Sequence, residues 1–122
     1  MNKEFVPYEQ ALALKELGFD EPCFGLYGKI AGTLFRVIVD DLDVVDEIHF
    51  IKALTFSQAF RFFREKCGLF SSIQELNIGY QHSYYFVVND EDSIQFLKYE
   101  DAELACLDKL ISIIKEQQNE II

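Results

Sequence analysis

The stretch VDDLDVVDEIH, residues 39–49, carries the densest set of side chains that could do chemistry. Its candidate metal ligands, general acids and general bases are Asp40, Asp41, Asp43, Asp46, Glu47 and His49. Hard cations bind where several oxygen ligands converge, but the glycine and final glutamate of an EF-hand loop are missing here. We therefore interpret the stretch as a solvated loop that leads into a strand. A weak metal site on Asp40, Asp41 and Asp43, in a metal-dependent enzyme using the 40–49 carboxylates, is the alternative.

Other sequence patterns give catalysis no further support. His49 and His82 are the two histidines, and neither has a cysteine or second histidine at zinc-binding spacing. The GxSxG, Walker A and GxGxxG patterns are all absent. The sequence therefore predicts no cofactor and favours a protein that is not an enzyme.

The three cysteines predict reduced thiols. Cys23, Cys67 and Cys106 lie far apart without a CxxC pair, and their odd number does not suit a disulfide framework. Free cysteine behaves as a small hydrophobic residue, so we expect these side chains to be buried.

The composition suits one acidic domain over residues 1–122, with a frayed tail at 117–122. The net charge of −10 disfavours nucleic acid and anionic membranes as partners. No apolar run approaches the roughly 18 residues of a membrane span, and no signal peptide is apparent at the start. We expect a cytoplasmic protein.

The most regular stretch is TFSQAFRFFREKCGL, residues 55–69, which predicts an amphipathic helix. Thr55 and Gln58 have the spacing of a capping box, and Gly68 suits the position just after the helix. At about 100° per residue, one side of the helix carries Phe56, Ala59, Phe60, Phe63 and Cys67, and the other carries Ser57, Arg61, Arg64 and Glu65. The sequence therefore predicts buried aromatics and a solvated basic side.

Phe62 falls outside the predicted apolar stripe. It either packs beneath a neighbouring loop or strand, or serves as an exposed anchor for another protein, because aromatic residues concentrate at interface centres.

The remaining segments predict an α+β fold, with a largely antiparallel sheet of about five or six strands packed against two or three helices. Pro7 and Gly18 bound the first helix, at 7–17. Strand patterns cover 23–28, 33–40, 47–53, 73–80, 83–90 and 93–99, and a helix follows at 100–116. The predicted order is α-β-β-β-α-β-β-β-α.

Consecutive aromatic residues on the fifth strand predict an aromatic patch. Side chains alternate between the faces of a strand, so Tyr85 must point away from Tyr84 and Phe86. With Tyr80 and Tyr99 nearby, the patch could be a ligand floor, a dimer surface or a face covered by another element.

Three segments stand out together: FVPYEQALALKELGFDEPCF, SQAFRFFREKCGL and YEDAELACLDKLI, which make up 46 of the 122 residues. They resemble a family of short uncharacterised proteins common in gut Bacteroidota and their phages. The chain departs from the family form at Leu54, where proline is usual, and at Cys67, where tyrosine is usual. The resemblance implies a mobile-element context and transfers no functional residues.

The function that the sequence favours is a small phage or prophage accessory protein that works by binding a protein partner or by self-association. The candidate binding residues are Phe62, Tyr84, Tyr85, Arg61 and Arg64. The alternative is a binder of a small molecule or nucleotide signal. That function would need a pocket with convergent polar groups such as Arg36, Arg61, Arg64 or Lys98.

Overall fold

The computed structural model describes residues 5–19, 25–30, 33–38 and 50–120, with side chains in 5–19 and 54–118. Its elements, in chain order, are α1 (Tyr8–Glu16), β1 (Gly25–Ile30), β2 (Thr33–Ile38), β3 (Phe50–Ala53), α2 (Phe56–Lys66), β4 (Ser71–Ile78), β5 (Gln81–Val88), β6 (Glu91–Asp92) and α3 (Tyr99–Glu120). Several predicted features lie outside the described residues: Cys23, the 40–47 carboxylates, His49 and the last two residues of the tail.

The α+β class is confirmed, with three helices and antiparallel strands among the described residues. The predicted single sheet of five or six strands is wrong. The strands form two separate three-stranded sheets, in the orders β2-β1-β3 and β4-β5-β6. Among the described residues, the strands before α2 pair among themselves in antiparallel ladders, and so do the strands after α2.

The chain divides into two compact units, Met1–Ala59 and Phe60–Ile122, with the boundary inside α2. In the N-terminal unit α1 packs against β3, and the Val6 N–H donates to the Leu54 carbonyl at 2.8 Å. In the C-terminal unit α3 packs against β5 and β4. The prediction of one domain over residues 1–122 stays a prediction.

Two glycines end helices as predicted. Gly18 and Gly68 have φ values of 102° and 68°, in the left-handed region that glycine adopts without steric cost. The Phe19 N–H then donates to the Leu14 carbonyl at 3.0 Å, and the Leu69 N–H donates to the Phe63 carbonyl at 2.9 Å. These bonds satisfy carbonyls at the helix ends. Pro7 precedes the first helical residue instead of occupying it.

One stripe of α3 supplies much of the buried surface of the C-terminal unit. The buried residues recur at helical spacing: Ala102, Cys106, Leu107, Leu110, Ile111 and Ile114. The helix begins at Tyr99 and runs past the predicted end at residue 116 to Glu120.

The sixth strand lies earlier than predicted. It covers Glu91–Asp92 instead of 93–99, because the turn that precedes it is centred on Asn89 and Asp90. Both residues have positive φ, 51° and 66°, as a two-residue type I′ hairpin turn requires. Asn and Asp tolerate this conformation better than other non-glycine residues.

Beyond β6, a bulge interrupts the pairing with β5. One residue separates Tyr84 from Phe86 on β5, whereas two residues separate their partners Ser93 and Phe96. The Ser93 hydroxyl accepts from the Phe86 N–H at 2.9 Å and donates to the Ile94 carbonyl at 2.7 Å. A side chain thus supplies the acceptor for Phe86 at this position of the ladder.

The predicted capping box at the start of α2 is confirmed. The Gln58 N–H donates to Thr55 Oγ1 at 3.2 Å, and the Thr55 N–H donates to Gln58 Oε1 at 3.0 Å. Two backbone donors that have no partner within the helix are thereby satisfied.

Replacing Thr55 by alanine should lower the free energy of unfolding by about 1 kcal/mol, because the Gln58 N–H loses its acceptor. Urea denaturation measures this change. Ser57→Ala, at an exposed position on the same helix, is the matched control and should change the free energy by less than about 0.5 kcal/mol. Equal effects of the two substitutions would contradict the capping role.

Replacing Ser93 by alanine should cost about 1–2 kcal/mol, because the partly buried Phe86 N–H loses its acceptor. The control is Ser72→Ala, since the Ser72 hydroxyl accepts from the exposed Gln74 side chain. If Ser93→Ala were as stable as the control in urea, the hydroxyl would not be needed to complete the ladder.

Candidate binding surface

The basic side of α2 is solvated as predicted. Arg61, Arg64, Glu65 and Lys66 are exposed. The two candidate arginines, Arg61 and Arg64, therefore lie on the exposed side of α2, whereas the candidate tyrosines lie on a different element, β5.

Phe62 is buried, with 6% of its surface exposed. Its ring packs edge-on against Phe63, with centroids 5.4 Å apart. The interpretation as an exposed anchor is therefore wrong, and packing is the role that the burial supports. The buried arc of α2 runs from Phe62 through Ala59 and Phe63 to Phe56, and leaves Phe60 half-buried at its edge. The predicted stripe was rotated because a helical wheel contains no information on which sides neighbours cover.

The two tyrosines of β5 point to opposite faces, as predicted. Tyr84 pairs with Glu75 and Tyr85 pairs with Gln74 in the ladder with β4. The Tyr84 ring meets Tyr99, the first residue of α3, in an edge-on contact with centroids 5.7 Å apart. The face that carries Tyr84 is thus the one towards α3, and Tyr85 lies half-buried on the other face.

The face of Tyr84 also carries a pair of titratable side chains. His82 Nε2 lies 2.5 Å from Glu75 Oε1, and both side chains are about half exposed. The His82 ring lies 5.1 Å from that of Tyr84. The pair joins neighbouring strands diagonally, which is within reach for side chains on one face of a sheet.

Large apolar side chains remain exposed around this sheet. Among the side chains that the structure describes, they all lie between residues 70 and 99: Phe70, Ile78, Tyr80, Ile94, Leu97 and Tyr99. Isolated exposed residues are ordinary, but a concentration of them in the turns and connections around one sheet is typical of an interaction surface.

Four of these residues lie on the half of the sheet nearest the β4–β5 turn. Gly79, with φ of 61°, and Tyr80 form this turn, and glycine at its first position is typical of a type II′ hairpin. The chain after Phe96 runs back along β5 towards the same end, because Phe96 bonds Tyr84 in antiparallel fashion. We call Ile78, Tyr80, Leu97 and Tyr99 the turn-end patch. It wraps around this end of the sheet, because Ile78 lies on the face of Tyr85 whereas Tyr99 contacts Tyr84 on the other face.

The sheet is uniformly acidic. No lysine or arginine occurs between Lys66 and Lys98, whereas four carboxylates do: Glu75, Asp90, Glu91 and Asp92. With histidine neutral, this segment has a charge of −4, from four carboxylates and no cation. A sequence scan for cation-free runs could have found this feature.

A shallow cleft of about 480 Å³ lies at the opposite end of the sheet from the turn-end patch. It is lined by Phe70, Ser71, Ser72, Val87, Asn89 and Asp90. Its one charged side chain is a carboxylate, so its lining would repel the phosphates of a nucleotide.

The described thiols are poor nucleophiles. Burial raises the pKa of Cys106 to about 11, although a hydrogen bond with Ser71 opposes the shift. Burial also raises the pKa of Cys67, which is half-buried. Because the thiolate is the reactive form, neither side chain is activated at neutral pH.

No protein family matches this sequence, and neither do curated proteins or solved structures. The described residues contain no group of three or more His, Cys, Asp or Glu side chains that could hold a metal ion. Within these residues, no helix has the length and apolarity to cross a membrane. Since the 40–49 carboxylates lie outside the described ranges, the metal site predicted there stays a prediction.

The sequence missed three parts of this surface. Ile78, Leu97 and Ile94 were assigned to ordinary strands, yet they are exposed. Tyr80 was noted for its ring, and the Gly-Tyr pair at the hairpin turn would have indicated its exposure.

The raised pKa of Cys106 predicts a loss of stability at alkaline pH. The folded state holds this proton more tightly than the unfolded state, so the stabilisation is complete below pH 9 and falls as the pH rises towards about 11. In urea denaturation, Cys106→Ala should show a smaller fall in the free energy of unfolding over this range. Cys67→Ala serves as the half-exposed control, and identical slopes for wild type and Cys106→Ala would contradict the prediction.

Proposed function

We propose that this chain is a small accessory protein that acts by binding another protein and has no catalytic activity of its own. The observation that carries the proposal is the concentration of exposed apolar side chains around the sheet of the C-terminal unit. Tyrosine is enriched among the residues that contribute most to binding when a partner buries them, and Tyr80 is fully exposed at a hairpin turn.

The turn-end patch combines apolar surface with fixed geometry. Tyr99 is held by its ring contact with Tyr84, and Ile78 closes the β4–β5 ladder opposite Gln81. A side chain that already has a fixed contact, as Tyr99 has, loses less conformational entropy on binding, which favours affinity. The residues that support the proposal all belong to the C-terminal unit. In this proposal the turn-end patch replaces Phe62 as the anchor, and Tyr84 supports the patch through its contact with Tyr99.

The biological setting of the proposal is a phage or prophage of Bacteroidota, with the protein acting in the host cytoplasm. The three segments that resemble short proteins from these genomes are its support. Self-association is the other form that the binding can take, and the experiment below separates it from binding to a different protein.

Binding of a nucleotide signal is the less favoured function. The cleft has a carboxylate and no cation in its lining. Arg61, Arg64 and Lys98 are exposed, and the side chain of Arg36 lies outside the described side chains. A metal-dependent enzyme that uses the 40–49 carboxylates stays a separate prediction.

The test compares two double variants that remove similar numbers of exposed apolar side chains. Tyr80→Ser with Leu97→Ser alters the turn-end patch, and Phe70→Ser with Ile94→Ser is the control outside it. Affinity capture from the source bacterium, measured by quantitative mass spectrometry, should recover a protein with wild type and control that the patch variant loses. If the patch joins two copies, sedimentation of the purified protein should show a smaller mass for the patch variant.

Circular dichroism should show equal folding of both variants, because all four side chains are exposed. The proposal fails if the patch variant captures the same proteins as wild type and sediments with the same mass.

A further inference from the structure

Strand β4 presents a free backbone edge. It lies at the edge of its sheet, and no described strand pairs with its outer side. Its eight residues pair continuously with β5 on the inner side, from Ser71 opposite Val88 to Ile78 opposite Gln81. The strand is therefore paired with its inner neighbour along its whole length.

The hydrogen bonds of β5 establish which groups of β4 face outward. Tyr84 of β5 exchanges backbone hydrogen bonds with Phe96, at 2.8 and 2.7 Å, on the side away from β4. Alternate residues of a strand bond to opposite sides, so Gln81, Ser83, Tyr85 and Val87 bond to β4. Their partners on β4 are Ile78, Leu76, Gln74 and Ser72, which leaves the N–H and C=O groups of Ser71, Ile73, Glu75 and Asn77 directed outward.

This edge lacks most of the features by which proteins prevent unwanted strand pairing. The segment SSIQELNI contains no proline and no lysine, and its ladder with β5 has no bulge. Exposed edges of this length usually carry such protection, because an unpaired row of donors and acceptors is a template for another strand. Glu75 is the single charged side chain on the strand.

The charge of the sheet selects the kind of strand that can be added. The segment between Lys66 and Lys98 has four carboxylates and no cation. A second copy of β4 would bring two such anionic sheets together, and the register that pairs residue 73 with 77 would place Glu75 opposite Glu75. Like charges directly opposite one another are unfavourable, whereas a basic segment would be attracted.

We propose that the outer edge of β4 binds an extended, lysine- or arginine-containing segment of a partner protein as an additional strand. The inference rests on the proposed protein-binding function and names both the surface and the class of partner. The outward backbone groups of Ser71, Ile73, Glu75 and Asn77 bond the added strand. The Glu75 carboxylate contacts His82 on β5 and remains about half exposed, so a basic side chain opposite it on the added strand can also reach it.

Amide hydrogen exchange followed by NMR tests the geometry in the protein alone. The outward N–H groups of Ser71, Ile73, Glu75 and Asn77 should exchange faster than the inward groups of Ser72, Gln74, Leu76 and Ile78, because the inward groups are bonded to β5. Equal protection of both sets would show that the outer edge is already covered, and would overturn the proposal.

A capped synthetic peptide of alternating lysine and valine is the probe for binding, and a peptide of alternating glutamate and valine is its control. The lysine peptide should slow exchange at the four outward amides, and added salt should weaken its binding because charge contributes to the attraction. The glutamate peptide should leave the outward amides unchanged.

Two matched pairs of variants locate the contact. Asn77→Pro removes one outward N–H without removing a bond to β5, and Asn77→Thr retains it; the proline variant should bind the lysine peptide several-fold to about tenfold more weakly. Glu75→Gln should also weaken binding, whereas Glu91→Gln on β6 should have less effect, since Glu91 lies on the other side of β5.

The inference is overturned if the lysine peptide leaves exchange at the outward amides unchanged, or if it binds the proline and threonine variants equally. Protection that appears without peptide and rises with protein concentration would identify a second copy as the occupant, and would also overturn it. If patch variants lose partner capture while the lysine peptide does not bind to the edge of β4, the inference fails and the proposed function stands. If the patch variant changes neither capture nor mass, the proposed function fails, whatever the peptide does at the edge.

Discussion

Strand β5 is hydrogen-bonded on both sides, to β4 along its full length and to β6 and Phe96 on the other side. This pairing directs Tyr84, His82 and Phe86 towards one face of the sheet and Tyr85 towards the other. The two tight turns that join β5 to its neighbours depend on left-handed backbone at Gly79, Asn89 and Asp90. Because β5 is central in this sheet, β4 lies at its edge, and no strand among the described residues pairs with the outer side of β4.

Packing in the C-terminal unit is concentrated between α3 and this sheet. The helix buries an apolar stripe that includes Cys106. Burial raises the pKa of this thiol and so keeps it protonated at neutral pH. A sheet of this size does not bury every apolar side chain of its strands and turns, since the surface of a small unit is large relative to its volume. Tyr80 and Leu97 remain exposed for this reason, and exposed apolar surface of this kind is available to a partner.

The proposed binding surface thus has two components with different physical roles. The turn-end patch offers apolar area, which contributes affinity through removal of that area from water. The edge of β4 offers a directional row of backbone donors and acceptors, and Glu75, the single carboxylate on this strand, favours an incoming segment of positive charge. An apolar patch alone would bind many different proteins. A strand edge without a charge preference would pair with many different strands.

The sequence by itself determined the features that depend on residues close together in the chain. Thr55 bonds to Gln58, three positions later. After Gly18 and Gly68, the N–H of the next residue bonds to a carbonyl five or six positions earlier. The spacing of these residues therefore specified the helix ends. The alternation of Tyr84 and Tyr85 followed from the period of a strand. The tertiary structure decided the burial of Phe62, the division into two sheets, the bulge at Ser93 and the free edge of β4. Each of these depends on which distant segments cover or pair with a residue, and local spacing contains no record of such neighbours.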